Sequence, residues 1–293
     1  MLQLAPNPAP LLENPCELIH SQTRLKVLPA AVPELLSALN DNEIDFIELS
    51  KTISKFPAIA ARLLFLSNSS WAAPVCEITT VEKACAKLGL SVVKSVSIAL
   101  AIAAPFDPAR CPAFRAEEFW VTALLVADAA AWLAEASSKI DEDEIATVHT
   151  SALLHNLGLL WMADSLPNKT NTAFEQAEAQ PDLCVAKTLL THCGADYCGI
   201  GGCLAEAWAL PGPILVSMKH HLDFNYSGEN WQIATLTGYA ASMVHALDHS
   251  IEALPEDLRL ERLGIKTEVR DEVYERLETR YEKVREMVKV LFC

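Results

Sequence analysis

From Val32 to the C-terminus the apolar residues of this chain recur at spacings of three and four, and no stretch alternates apolar with polar residues over strand length. A period near 3.6 gathers such residues on one face of an α-helix, whereas a half-buried strand needs a period of two. The pattern restricts the chain to an all-α fold. It is clearest in the tail, where Val269, Val273, Leu277, Tyr281, Val284, Val288 and Leu291 form one apolar stripe on a helix expected over 268–291. Charges fill the other faces, with Glu272 and Arg276, and Glu282 and Arg285, at helix-pairing distance. About seven side chains buried at roughly 1.5–3 kcal/mol each favour docking of this helix, either on its own chain or on a second copy as a homodimer.

Shorter helices precede it. Pro33-Glu34 opens one that ends near Asn40-Asp41, and Ile44, Ile47 and Leu49 mark the next, which ends before Phe56-Pro57. Pro57 suits the first turn of a third helix carrying Ile59, Leu63, Leu64 and Leu66, which runs out at Ser67-Asn68-Ser69-Ser70. Thr80 is placed to cap a fourth helix, Gly89 to close it in a left-handed conformation, and Ser91 to cap a fifth. Helices are further expected over 119–136, 145–163, 185–190, 200–210, 214–221 and 233–247. Pro105 to Pro112 reads as a link between a lobe at 21–110 and a second at 111–250. Residues 1–20 form a proline-rich lead, with Pro6, Pro8, Pro10 and Pro15, and 251–293 are the tail.

With 23 Lys+Arg against 38 Asp+Glu the formal net charge is −15, which repels phosphate backbones and argues against nucleic acid as a partner. No apolar run approaches the roughly 20 residues that span a bilayer, and the N-terminus does not read as a secretory signal, so no membrane association is expected. Nine cysteines without a C-x-x-C fit a reducing compartment, with the thiols packed as small apolar groups, and a cytoplasmic location.

Three local features invite chemistry, and each has a plainer account. Helix–glycine–helix at Val81 to Ala99 has the outline of a DNA-binding corner, but it offers Lys83, Lys87 and Lys94 and no arginine to fork onto a guanine. It reads as a helical corner. Cys193, Cys198 and Cys203 with His192 suggest zinc, yet steps of five residues turn about 140° each on a helix and point the thiols apart. The glycines at 194, 199, 201 and 202 make that segment's start irregular. His155, amid Leu153, Leu154, Leu157 and Leu160, is explained by a core histidine bonded to a backbone carbonyl. His220-His221 is explained by the dipole at a helix C-terminus.

Taken in order, however, the segments resemble the HDOD domain, the bacterial HD-related output domain. The resemblance rests on LPAAVPELLSALNDNEIDFIELSKTISKFPAIAARLLFLSNSSW with its Asn68-Ser69, then Ile78-Thr79-Thr80, Ala84 and Leu88-Gly89. Phe119-Trp120, Leu153 to Gly158, Ala207-Trp208-Ala209-Leu210-Pro211 and His220-His221 continue it, over roughly residues 25–245.

HDOD domains are related to HD phosphohydrolases, whose metal is held by a His, a His-Asp pair and a later Asp. What the resemblance implies here is loss of that set. Thr122 stands at the first His position, His155-Asn156 at the His-Asp pair, Tyr197 at a frequent His, and Ala241 at the last Asp. Without carboxylates a divalent ion is poorly neutralised, and without the ion no hydroxide forms near neutral pH. The resemblance therefore implies a non-enzymatic signal-transduction scaffold with no cofactor and a signalling protein as partner. His155, Asn156, His220, His221, Thr122, Tyr197 and Ala241 form its vestigial site or ligand pocket. The alternative is a residual metal-dependent phosphohydrolase acting on a nucleotide or cyclic dinucleotide, with Asp196, Asp128 and Glu118 as the acids at hand.

Overall fold

Asp45 shows how short helices start in this chain: its carboxylate accepts from the amides of Ile47 and Glu48, both at 2.8 Å, and opens a nine-residue helix. The structure, a computed structural model, describes residues 15–16, 19, 31–39, 44–180, 183–249, 251, 254 and 258–292. Those residues contain no strand. The proline-rich lead up to residue 14 lies outside them.

Five helices come first: α1 (Ala31–Leu39), α2 (Phe46–Ser54), α3 (Pro57–Ser67), α4 (Val81–Leu88) and α5 (Leu90–Ala103). Pro57 is the first residue of α3 and Thr80 caps α4, as the sequence suggests. Gly89 has φ 85°, but its ψ of 152° is extended rather than left-handed helical. The chain therefore turns 115° at a single residue, and α5 begins at Leu90 with Ser91 already inside it. Asn68 staples the loop after α3: its amide donates to Leu64 O and Ile78 O and its Oδ1 accepts from Ile78 N, at 2.8–2.9 Å.

Then follow α6 (Ala116–Glu135), α7 (Ile145–Leu153), α8 (Leu157–Ser165), α9 (Pro167–Ala179), α10 (Val185–Cys193), α11 (Tyr197–Ala207), α12 (Gly212–His220) and α13 (Trp231–Asp248). The tail adds α14 (Leu258–Arg262) and α15 (Thr267–Phe292). α6 is buried on nearly every residue from Phe119 to Ala134, the mark of a helix enclosed by others. α7, α13 and α15 pack around it. α8 and α12 flank α11, and α9 lies on α10.

Three expectations are corrected. The single helix expected over 145–163 is two, broken at Leu154-His155-Asn156. The glycine-rich start of α11 is regular helix, since Gly201 and Gly202 are enclosed by Met218 and Lys219 of α12. α9, absent from the sequence reading, starts at Pro167 and buries only Pro167, Thr170 and Ala173.

α15 uses its stripe within the chain: Val273, Leu277, Val284, Met287, Val288 and Leu291 are buried, while Val269 and Tyr281 are only partly so. Its charged faces dock as well. Arg276 lies 4.1 Å over the Trp132 ring, and Arg285 and Arg280 donate to Glu117 and Asp128 of α6, both at 2.9 Å. Phe292 stacks on Trp120 at 4.6 Å, and Trp71 donates its Nε1–H to the Lys283 carbonyl at 2.7 Å. No single described helix is long and apolar enough to cross a membrane. A disulfide joins Cys16 to Cys203, against the expectation that all the thiols are free packing groups.

Candidate functional site

The break between α7 and α8 presents His155 and Asn156 to the inside, 3% and 4% exposed. The turn is tightened from outside: a Cβ on Gly158 would overlap the Tyr197 carbonyl oxygen, so α8 and α11 touch there backbone to backbone. At the break Ala152 O is 2.7 Å from His155 Nδ1 and also accepts the His155 amide. A carbonyl only accepts, so Nδ1 carries the proton and the Nε2 lone pair is left over.

The partner of His155 is His221, not His220. The two rings meet edge to face with centroids 5.0 Å apart. His221, 1% exposed, donates Nδ1–H to Ser217 O at 2.8 Å, so its Nε2 accepts from the Tyr197 hydroxyl at 3.2 Å. Burial raises the Tyr197 pKa well above the usual phenol value, which keeps that hydroxyl a donor. Cys198 Sγ lies 3.8 Å from the same Nε2. A Cβ on Gly238 would overlap the His221 carbonyl oxygen, so α13 closes the site from the other side. Ser217 Oγ donates to Ser151 O at 2.9 Å and lies 3.1 Å from Thr237 Oγ1, tying α7, α12 and α13 together beneath it.

His220 faces away and stacks on Tyr226 at 4.0 Å. Helix register in the sequence carries this distinction: Ile214, Met218 and His221 fall in phase on the buried side of α12, and His220 does not. Thr122 and Ala241 are partly buried on α6 and α13 and take no part in the hydrogen bonds of the cluster among the described residues. Cys198, weighed in the sequence only as a zinc ligand, lies here beside His221, and Ser217, which sequence reasoning missed, is marked only by standing one turn before His221.

The electrostatics are those of neutral groups. Burial, and then the His221 ring, push His155 down to about 3, and burial pushes His221 down to about 4. Asn156 Oδ1 is buried and finds no hydrogen-bond partner among the described residues. This donor set of two imidazoles, an amide oxygen and a thiol whose pKa burial raises contains no carboxylate and does not fit a hard divalent ion such as Mg²⁺ or Mn²⁺, and His221 Nε2 is already engaged by the Tyr197 hydroxyl.

The acids foreseen as replacement ligands are engaged elsewhere. Asp196 caps α11 by accepting from Gly199 N at 2.7 Å, Glu118 pairs with Arg115 at 3.0 Å, and Asp128 holds Arg280 and lies 3.4 Å from His149. Among the described residues no group of three or more His, Cys, Asp or Glu is placed to hold a metal.

A family model described as the HDOD domain matches residues 25–224. A protein of Treponema pallidum (strain Nichols), described as uncharacterized, is 24% identical over 239 residues, covering 79% of this chain and 44% of that protein. Among solved structures, a candidate signal transduction protein from Marinobacter aquaeolei VT8 has a TM-score of 0.79 at 18% identity, over 90% of this chain and 59% of that one. An HDOD domain protein with unknown function from Geobacter sulfurreducens has a TM-score of 0.71 at 18% identity, over 94% and 98%. A candidate phosphohydrolase from Shewanella amazonensis SB2B has 0.69 at 22% identity, over 95% and 99%. The chain thus spans less than two thirds of the Treponema and Marinobacter proteins, and at these identities the structural likeness is one of fold. The family match extends over more than half of the sequence, and the chain belongs to the HDOD domain family.

Proposed function

We propose that this chain is a non-enzymatic, cytoplasmic scaffold in bacterial signal transduction, which binds a partner protein or small ligand on a fold whose HD-type metal site has decayed. The observation that carries this reading is the His155–His221 pair: two buried imidazoles held neutral, bonded to carbonyls and a hydroxyl, with Asp196, Asp128 and Glu118 committed to a cap and to ion pairs. A divalent ion placed there meets no compensating negative charge. Partner binding is supported by a surface feature distant in sequence. An open cleft of about 660 Å³ is lined by Phe65, Val75, Cys76, Glu77 and Ile78, with Phe65 and Val75 60% and 104% exposed.

Calorimetric titration of Mn²⁺ into the full chain, run beside a phosphodiesterase assay on cyclic dinucleotides, tests the reading. We expect no binding at micromolar concentration and no hydrolysis. Micromolar binding that disappears in His155→Ala, accompanied by turnover, overturns it in favour of a residual phosphohydrolase.

A further inference from the structure

α11 carries Tyr197 and Cys198 to His221, and Pro15 and Cys16 lie against the same helix. Pro15 Cγ lies 3.1 Å from where a Cβ on Gly199 would stand. Ile19 is 1% exposed within the core. Between them Cys16 is bonded to Cys203, 187 residues away, at a Cα–Cα distance of 5.2 Å. Gly199 and Cys203 are one turn apart, so Pro15 and Cys16 meet a single face of the helix.

We propose that Cys16 and Cys203 form a reversible redox modification site, exchanging with a low-molecular-weight disulfide, that latches Pro15-Cys16 onto α11. Cys16 is partly exposed whereas Cys203 is 8% exposed, so exchange enters at Cys16. In the forward direction the Cys16 thiolate attacks the small disulfide, whose S–S bond breaks, giving a mixed disulfide and one small thiol. Cys203 then attacks the Cys16 sulfur, the protein bond forms, and the second small thiol leaves. The two electrons and two protons lost by the cysteines are carried off by the two small thiols. Reduction reverses both steps. Cys198, on the same helix, is buried with a raised pKa, hence little ionised, and does not divert the exchange, while the free thiol Cys184 is exposed and takes label at every poise.

The test equilibrates the full chain with glutathione mixtures of graded poise, labels free thiols with a maleimide, and locates the label by mass spectrometry. Cys16 and Cys203 are expected to gain label together in one two-electron step while the chain stays folded. On reduction Tm should fall by roughly 10 °C, as expected when so long a loop is opened. Cys16→Ser should melt like the reduced protein at every poise, and Cys198→Ser should keep the wild-type midpoint. A bond that millimolar reduced glutathione leaves intact in the folded chain overturns the proposal, making it a static staple. So does label on Cys16 and Cys203 in the fully oxidised protein, or a midpoint abolished by Cys198→Ser.

Discussion

His155 and His221 make the fold sensitive to mild acid, and the sign follows from their burial. Their folded pKa values, about 3 and about 4, lie below the ordinary 6.5 of an unfolded histidine. Above pH 6.5 neither state binds the proton and the pair adds no pH dependence. As pH falls from 6.5 towards 4 the unfolded chain takes up protons that the native state refuses, so stability is lost, at up to about 1.4 kcal/mol per pH unit for each ring. Between pH 7.5 and 5.5 the pair should contribute about 2–3 kcal/mol to urea unfolding, to which His220 and His245, also lowered by burial, add with the same sign, and His155→Gln should remove about half of the pair's share, roughly 1.4 kcal/mol. An equal slope in wild type and variant would rule out the pair as its source. Asp128 does not contribute in this window, since its pKa is lowered. Burial alone would raise it, but His149 and Arg280 outweigh that, and the stability it confers is lost only below the ordinary carboxylate range.

At the scale of helices, the sequence makes legible what depends on period and caps, and hides what depends on neighbours. The stripe of α15, Pro57 at the start of α3 and Thr80 before α4 are local facts, and local physics decides them. The break at His155-Asn156 is not local. The run from Ile145 to Ala163 is apolar enough to continue as one helix, and the backbone contact of Gly158 with α11 lies across the fold. α9 is too polar to display an apolar stripe, because its one buried side packs mainly against α10. The tail's charges were legible by type but not by partner. Arg280 and Arg285 reach α6 rather than serving their own helix. Arg280→Ala leaves the Asp128 carboxylate, 11% exposed, with only His149 beside it. Because Arg280 is itself 30% exposed, the cost should be about 2 kcal/mol, below the usual figure for a fully buried pair. Adding Asp128→Asn should recover about half of it in a urea double-mutant cycle. Arg280→Ala within about 0.5 kcal/mol of wild type would show that the pair does not fasten the tail.

Over the whole molecule one apolar core runs through all regions, but its parts are unequally held. α6 is enclosed on every side, with α7, α13 and α15 against it, whereas α1 to α5 pack chiefly on one another. The first five helices lean on the rest through a few bonds: Trp71 to the Lys283 carbonyl, the 3.4 Å contact of Ser95 Oγ with His149 Nε2, and the side of α3 against α15. Local opening free energies follow such differences in buried contact. Native-state hydrogen exchange should therefore show α1 to α5 opening as a unit at a free energy below that of global unfolding, while the amides of α6 and α13 exchange only through complete unfolding. Trp71→Phe removes one bond at that seam and should lower the opening free energy of α1 to α5 by about 1 kcal/mol, leaving α6 and α13 unchanged. Equal protection across all helices, or a Trp71→Phe effect spread evenly over them, would mean that the molecule unfolds as one unit. The tail would then be one helix of that unit rather than the brace between its halves.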